Sequence, residues 1–190
     1  MTDVLVAGVE VGSSSLCIAT VNKHGLQIVL NKESGRETPC VVSFRSNRRY
    51  CGTEASGHAS TNLKNTVFEV TKLLGRSMDD PLLQQWLKTM PFEVCCKPNP
   101  ETRYHHLQQV VPIKTAAGMT CPAVQVTYQN QPLLQRPEQL LAALLNDAKQ
   151  LAEQGAASPI QLLVLACPVH FTDAQRQVLS VLHTLVARTP

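Results

Sequence analysis

The sequence has 190 residues, of which 44% are hydrophobic and 16% charged, with a formal net charge of +3 at pH 7. That balance describes one folded domain, or two small lobes sharing a core, and excludes a disordered chain. So small a charge, spread over scattered Lys and Arg, gives no footprint for nucleic acid, and the run at Arg45, Arg48 and Arg49 reads as a solvated turn.

Residues 3–11, 16–21 and 26–31 are expected to form three short strands in an antiparallel meander. The first is apolar, but Glu10 interrupts it and no basic segment precedes it, so it does not read as a secretory signal. No later run approaches the roughly 18 apolar residues of a membrane span. The chain is therefore expected to be cytoplasmic, with no membrane partner. Gly12 to Ser15 makes the first turn, and two readings of it stay open at this point. Gly-Ser-Ser is ordinary hairpin chemistry, and a glycine turn is also a backbone nest for phosphate. Asn22, Lys23, His24 and Gly25 form the second turn, with Gly25 free to take positive φ.

A strand pair is expected at Cys40–Phe44 and Tyr50–Gly52. Val67, Val70 and Leu74 then predict a helix over Asn65 to Leu74, ended by Gly75. Asp80-Pro81 opens a second helix, which carries Trp86, with a capping acid before a first-turn proline. Phe92 to Tyr128 is β-leaning and holds Cys95, Cys96, His105, His106 and Cys121, whose spacing matches no zinc pattern. The seven cysteines are odd in number and irregularly spaced, which is no disulfide framework.

Pro137 to Gln154 reads as the longest helix, with Leu140, Leu141, Leu144, Leu145, Ala148, Leu151 and Ala152 on one face and Gly155 as its C-terminal cap. Leu162 to Ala166 is apolar at successive positions, as in a strand covered on both faces. Thr172 and Gln175 make a capping box. The helix it opens is expected to place Ala174, Val178, Val181, Leu182 and Leu185 on one side. Strands, helices, a β-rich piece, a long helix, a strand and a helix describe α/β with a mixed sheet.

Four stretches, in this order, carry a family resemblance: GVEVGSSSLCIATV, GRETPCVVSF, NLKNTVFEVTKLLGRSMDDP and ACPVHFTDAQRQ. They resemble the N-terminal part of the ATPase domain of the seventy-kilodalton heat-shock chaperones, the DnaK type, across residues 4–180. The first is similar to that family's first phosphate-binding turn, and the second to its R-x-T-P-S strand. The third is similar to the segment that carries its catalytic lysine, and the fourth to its V-P-A-Y-F-N-D-x-Q-R-Q strand and helix start. Residues Cys95 to Pro122 do not match well. The resemblance implies the actin-like ATPase (ribonuclease H-like) fold, lobe I only: a mixed sheet with an inserted α+β subdomain. Residues 1–37 and 156–190 would form the core sheet, and residues 38–155 the insert.

The resemblance also implies a function: the ATP-binding part of a heat-shock-type molecular chaperone or co-chaperone that assists protein folding in the stress response. It implies ATP or ADP with Mg2+ as cofactor, bound weakly by this chain alone. In a full-length protein it implies a J-domain co-chaperone, a nucleotide-exchange factor, unfolded polypeptide and the ribosome as partners. Gly12, Ser13, Ser14 and Ser15 match the phosphate turn. Pro168 and Arg176 match the proline and arginine of the allosteric relay, with His170 in place of the usual tyrosine.

Two positions depart from the pattern. Glu10 stands where the family has the aspartate that organises the metal and its waters. It adds a methylene, and a displacement of about 1 Å at a reacting group costs on the order of a hundredfold in rate. Thr71 stands where the catalytic lysine belongs, and its neighbour Lys72 points about 100° away on the expected helix, unless a one-residue shift lets it reach back. Glu10 and Thr71 are thus altered catalytic positions, and any role of Glu10 toward metal runs through water. ATP hydrolysis is expected to be weak or absent, the more so because the second phosphate turn, the adenosine pocket and lobe II would lie beyond residue 190. Two other readings stand beside this one. One is a non-catalytic chaperone regulator or interaction module of the ribosome-associated type. The other is a small-molecule kinase of the same superfamily, against which NTVFEVTKLLGR and HFTDAQRQ weigh.

Overall fold

The computed structural model describes residues 5–23, 25–89, 92–94, 108–114 and 120–188. In chain order the first strands are β1 (Val6–Val11), β2 (Ser15–Asn22), β3 (Gly25–Ile28), β4 (Glu37–Pro39), β5 (Val41–Arg45) and β6 (Arg48–Cys51). They are followed by β7 (Thr66–Phe68), β8 (Phe92–Val94), β9 (Gln108–Lys114), β10 (Thr120–Tyr128), β11 (Gln131–Gln135) and β12 (Leu162–Ala166). The helices are α1 (Gly52–Gly57), α2 (Pro81–Thr89), α3 (Pro137–Ala156) and α4 (Asp173–Arg188).

The sheet that carries the first turn has the order β12-β1-β2-β3, with β4 also on β2. β1 is antiparallel to β2 and parallel to β12, so the opening meander and the mixed sheet are both as expected. Alternation selects the buried face: Ala7, Val9 and Val11 on β1, Leu16 and Ile18 on β2. Helix α3 packs on β1 and β2 with its leucine face, including Leu140, Leu141, Leu144 and Leu145, all buried. Each fully buried leucine contributes about 1.5–3 kcal/mol relative to an exposed one. The ammonium of Lys149 donates to the Val186 carbonyl oxygen at 3.3 Å, which ties α3 to the last turn of α4.

The local signals at Gly25 and Asp80 hold. Gly25 has φ 109°. Asp80 caps α2 by accepting the Leu82 and Leu83 N–H groups at 2.8 and 3.4 Å. The β5–β6 pair is also as expected.

Four expectations need correction. Asn65 to Leu74 is not a helix. Leu63–Asn65 is a 3-10 turn, β7 follows and pairs with β5, and Val70–Lys72 is a second 3-10 turn. Glu69 breaks the path at φ 48°, and the β-branched pair Thr66-Val67 favours the strand. Val67, Val70 and Leu74 are nonetheless all buried, so the apolar spacing marks core positions but not the backbone. Gly155 lies inside α3, and the cap is Ala157 at φ 50°. Strand β12 is covered on one face only: Leu162 and Val164, beside Val6 and Gly8 on the face of the sheet away from α3 and α4, are 51% and 50% exposed. Helix α4 is rotated from the expected side. Gln175, Leu179, Leu182 and Val186 are buried, while Val181 and Leu185 are exposed.

His24, Cys95, Cys96, His105 and His106 lie outside the described residues. Among the described residues no group of three or more metal-ligating side chains comes together.

Candidate functional site

The hairpin between β1 and β2 turns through Gly12, Ser13, Ser14 and Ser15, and the Gly12 N–H donates to the Ser15 carbonyl oxygen at 3.0 Å. Gly12 does not use a left-handed backbone. It is glycine for room: a Cβ there would lie 2.7 Å from the Ser15 carbonyl oxygen.

The carbonyls of this turn are held from one side. The Thr71 hydroxyl lies 3.3 Å from the Gly12 oxygen and 3.5 Å from the Ser13 oxygen, sharing its proton between them. The Cys40 N–H donates to the Ser14 oxygen at 2.7 Å, and the Cys40 thiol approaches the Gly12 oxygen at 3.6 Å. Burial pushes the Cys40 thiol up to about 12, so it stays protonated as a donor. Among the described residues all peptides are trans. In a trans peptide the C=O and the following N–H point in opposite directions. Drawing the Gly12 and Ser13 carbonyls toward Thr71 therefore turns the N–H groups of Ser13 and Ser14 away from it. Neither N–H has a hydrogen-bond partner among the described residues. Two successive free N–H groups on a tight turn form an anion nest.

The acids lie to the β2 side. Glu10 is exposed on β1, opposite Cys17 of β2. Glu37 of β4 is opposite Cys17 from the other side. Directly opposed residues share a face, so Glu10, Cys17 and Glu37 form one cross-strand row. The Ser15 hydroxyl donates to the Glu37 carboxylate at 3.0 Å, so Ser15 is the one serine of the turn whose hydroxyl has a protein partner among the described residues. The Glu10 carboxylate makes no hydrogen bond or ion pair among the described residues. A free carboxylate at the strand end beside a nest for anions is a donor set that fits a hydrated Mg2+ accompanying phosphate, since that ion keeps several waters and takes one or two carboxylates.

Thr71 thus meets the turn, but from within the protein, at 1% exposure. Lys72 is engaged elsewhere: its ammonium pairs with Glu69 at 2.9 Å and sits 5.4 Å from the centre of the Trp86 ring. Pro168 and Arg176 come together at the end of β12. Arg176 donates from Nε to the Phe171 oxygen at 3.1 Å and from Nη2 to the Val169 oxygen at 2.9 Å, and the Pro168 oxygen accepts the Phe171 N–H at 3.1 Å. His170 stacks edge-on against Phe171.

Cys40, Glu37 and Gln175 are the site residues that sequence reading missed. The first two belong to the stretch GRETPCVVSF, whose return past the turn is a tertiary event with no local signal. Gln175 was legible as half of a capping box, and its second bond, to Thr71, was not.

Residues 6–181 match the family model described as Hsp70 protein. The chain is 28% identical to Heat shock 70 kDa protein 14 of Arabidopsis thaliana over 172 residues, 90% of this chain and 18% of that protein. It is 30% identical to Heat shock 70 kDa protein 16 of the same plant over 171 residues, 90% of this chain and 20% of the relative. It is 29% identical to the ribosome-associated molecular chaperone SSB of the yeast Candida glabrata over 170 residues, 90% of this chain and 24% of the relative. The chain therefore spans between 18% and 24% of the length of these relatives.

Proposed function

The chain belongs to the Hsp70 family, and on that premise we propose that its first turn, Gly12 to Ser15, receives the terminal phosphates of ATP or ADP as one wall of a chaperone's nucleotide cleft. One observation carries the reading. Thr71 and Cys40 tie down the carbonyls of the turn, which leaves the N–H groups of Ser13 and Ser14 free and pointing the other way. The Ser13 and Ser14 hydroxyls add neutral donors beside them. Bound Mg2+ would neutralise phosphate charge, with Glu10 reaching it through water.

Slow or absent hydrolysis is part of the proposal. Phosphoryl transfer depends on positioning and on cations at the transferred group. Thr71 brings a hydroxyl, already committed to the turn, and Lys72 is engaged by Glu69. This arrangement favours a nucleotide-binding regulator over an efficient ATPase. The larger roles follow the family as proposals. They are assistance to unfolded polypeptide with a J-domain co-chaperone and an exchange factor, and, from the name of the yeast relative, work at the ribosome. A cytoplasmic setting belongs with them. Among the described residues no helix is long and apolar enough to cross a membrane. We also infer that residues 1–37 and 156–190 act as the core subdomain, since β1, β2, β3 and β12 share one sheet.

The test is a titration of the chain with inorganic pyrophosphate and with ATP-Mg2+, followed at the Ser13 and Ser14 backbone amides by NMR. Saturable shifts at both amides are expected with either ligand. Unmoved amides at tens of millimolar pyrophosphate would remove the phosphate reading.

A further inference from the structure

Gln175 is buried to 2% exposure, and both ends of its amide are in use. The oxygen accepts the Thr172 N–H at 2.9 Å and the Thr172 hydroxyl at 3.3 Å. The Nε2 group donates to the Thr71 carbonyl oxygen at 3.2 Å, across 104 positions of sequence. The amide cannot flip without setting its NH2 group against the Thr172 N–H, so the network fixes its orientation. Thr71 in turn holds the Gly12 and Ser13 carbonyls. The backbones on the two sides are in close contact as well. Gly75 has φ +61°, and a Cβ there would lie 3.0 Å from the Ala174 carbonyl carbon and from the Gln175 nitrogen.

We propose that Gln175 is a positioning residue for the phosphate turn, acting through Thr71, so that the turn and the N-terminus of α4 are held as one unit. The proposal deepens the phosphate reading above and rests on it for its functional meaning. The next residue along α4 is Arg176, whose guanidinium holds the Val169 and Phe171 carbonyls. Gln175 and Arg176 therefore hold the segment behind the turn and the loop after β12 from adjacent positions of one helix turn. Buried hydrogen bonds of this kind carry strain because leaving one partner unsatisfied is costly.

Amide hydrogen exchange tests the positioning without any ligand. The Cys40 N–H bonds to the Ser14 oxygen and so reports the turn, while the β5 amides report global opening. Gln175→Glu keeps an oxygen for Thr172 and removes the donor to Thr71. Thr71→Val removes the hydroxyl at nearly constant shape. Each is expected to speed exchange at Cys40 about tenfold relative to β5, the scale of one buried hydrogen bond. Thr71→Ser is expected to return to within about twofold of the native rate, because it restores the donor. The double variant should exchange no faster than the faster single one, since both cut one path. Gln175→Met removes the donor without burying a charge or a proton that could replace it. Native exchange at Cys40 in Gln175→Met, or rates that multiply in the double variant, would overturn the proposal, and Gln175→Met decides if Gln175→Glu fails to fold. Pyrophosphate titration of the native chain separates the two readings: turn-specific exchange without pyrophosphate shifts upholds the positioning and removes the phosphate role.

Discussion

The hydroxyl of Thr71 and the carbonyl oxygen of Gly12 lie 3.3 Å apart although 59 positions separate them in the chain. The position at which the family resemblance expects a cation is occupied by a neutral donor that faces inward. Thr71→Lys should therefore lower stability, by about 1–3 kcal/mol, because an ammonium has to leave a slot that solvent does not reach. Thermal melting of the variant against the native chain measures this. An unchanged melting temperature would mean that position 71 opens readily to solvent.

Gly12 makes a steric prediction. A methyl group at this position meets the Ser15 carbonyl oxygen at 2.7 Å, a distance that the backbone must relieve by moving. Gly12→Ala is expected to cost about 1–3 kcal/mol, the usual range for forced overpacking. It should also abolish pyrophosphate shifts at Ser13 and Ser14 in whatever fraction remains folded. Denaturant unfolding with the same titration checks both, and native-like binding would show that the turn tolerates the displacement.

Asp80 predicts an acid-side effect. Burial alone would raise its carboxyl, but the Arg76 guanidinium and the Leu82 and Leu83 N–H groups outweigh it and hold the group below its usual value. A depressed folded value contributes stability that is present above the unfolded value of about 3.9 and is lost as pH falls through the folded one. Asp80→Asn keeps the cap and removes the charge. It should be less stable than the native chain at pH 7, by about 0.5–1 kcal/mol. The gap should close as pH falls below about 4.

Asp147 predicts the opposite sign. It lies half-buried on α3, and burial raises its carboxyl, only partly offset by Lys32. A raised folded value gives stability that is complete below the unfolded value and lost as pH rises through the folded one. Asp147→Asn should therefore stabilise the chain at pH 7 and make no difference at about pH 3, below the unfolded value. Unfolding curves at the two pH values decide it, and equal effects at both would assign the change to packing.

Legibility of the sequence followed the range of the interactions. Asp80-Pro81, Thr172 with Gln175, and the β1–β2–β3 meander are legible because a cap, a turn and an alternating strand are set within a few residues. The segment Asn65 to Leu74 misleads for a physical reason. Val67, Val70 and Leu74 satisfy helical spacing, yet the backbone is chosen by β7 pairing with β5 and by the left-handed Glu69, neither visible locally. The turn proposed to receive phosphate is marked by its glycine and serines. What leaves its N–H groups free, the inward pull of Thr71 and Cys40 on its carbonyls, arises from contacts 26 to 59 positions away. The exposed Val181 and Leu185 of α4 show the same limit. Periodicity gives a stripe, and only packing against α3 and β12 sets which edge of the stripe is covered.

Arg176 yields a final prediction. Its planar guanidinium reaches the Phe171 and Val169 carbonyls at 3.1 and 2.9 Å from two different nitrogens, closing the loop after β12. A lysine carries one ammonium on a flexible stem and cannot present this fork, so Arg176→Lys is not conservative here. Because the side chain is exposed, the stability cost should be modest, about 1 kcal/mol or less. The local effect should be larger, since Val169 is 92% exposed at the loop tip and little else restrains it. Limited proteolysis within Val169 to Phe171 should accelerate several-fold in Arg176→Lys, while the melting temperature shifts by only a few degrees. Equal cleavage rates in the two proteins would show that Pro168 and the Phe171 N–H bond fix the loop without the arginine.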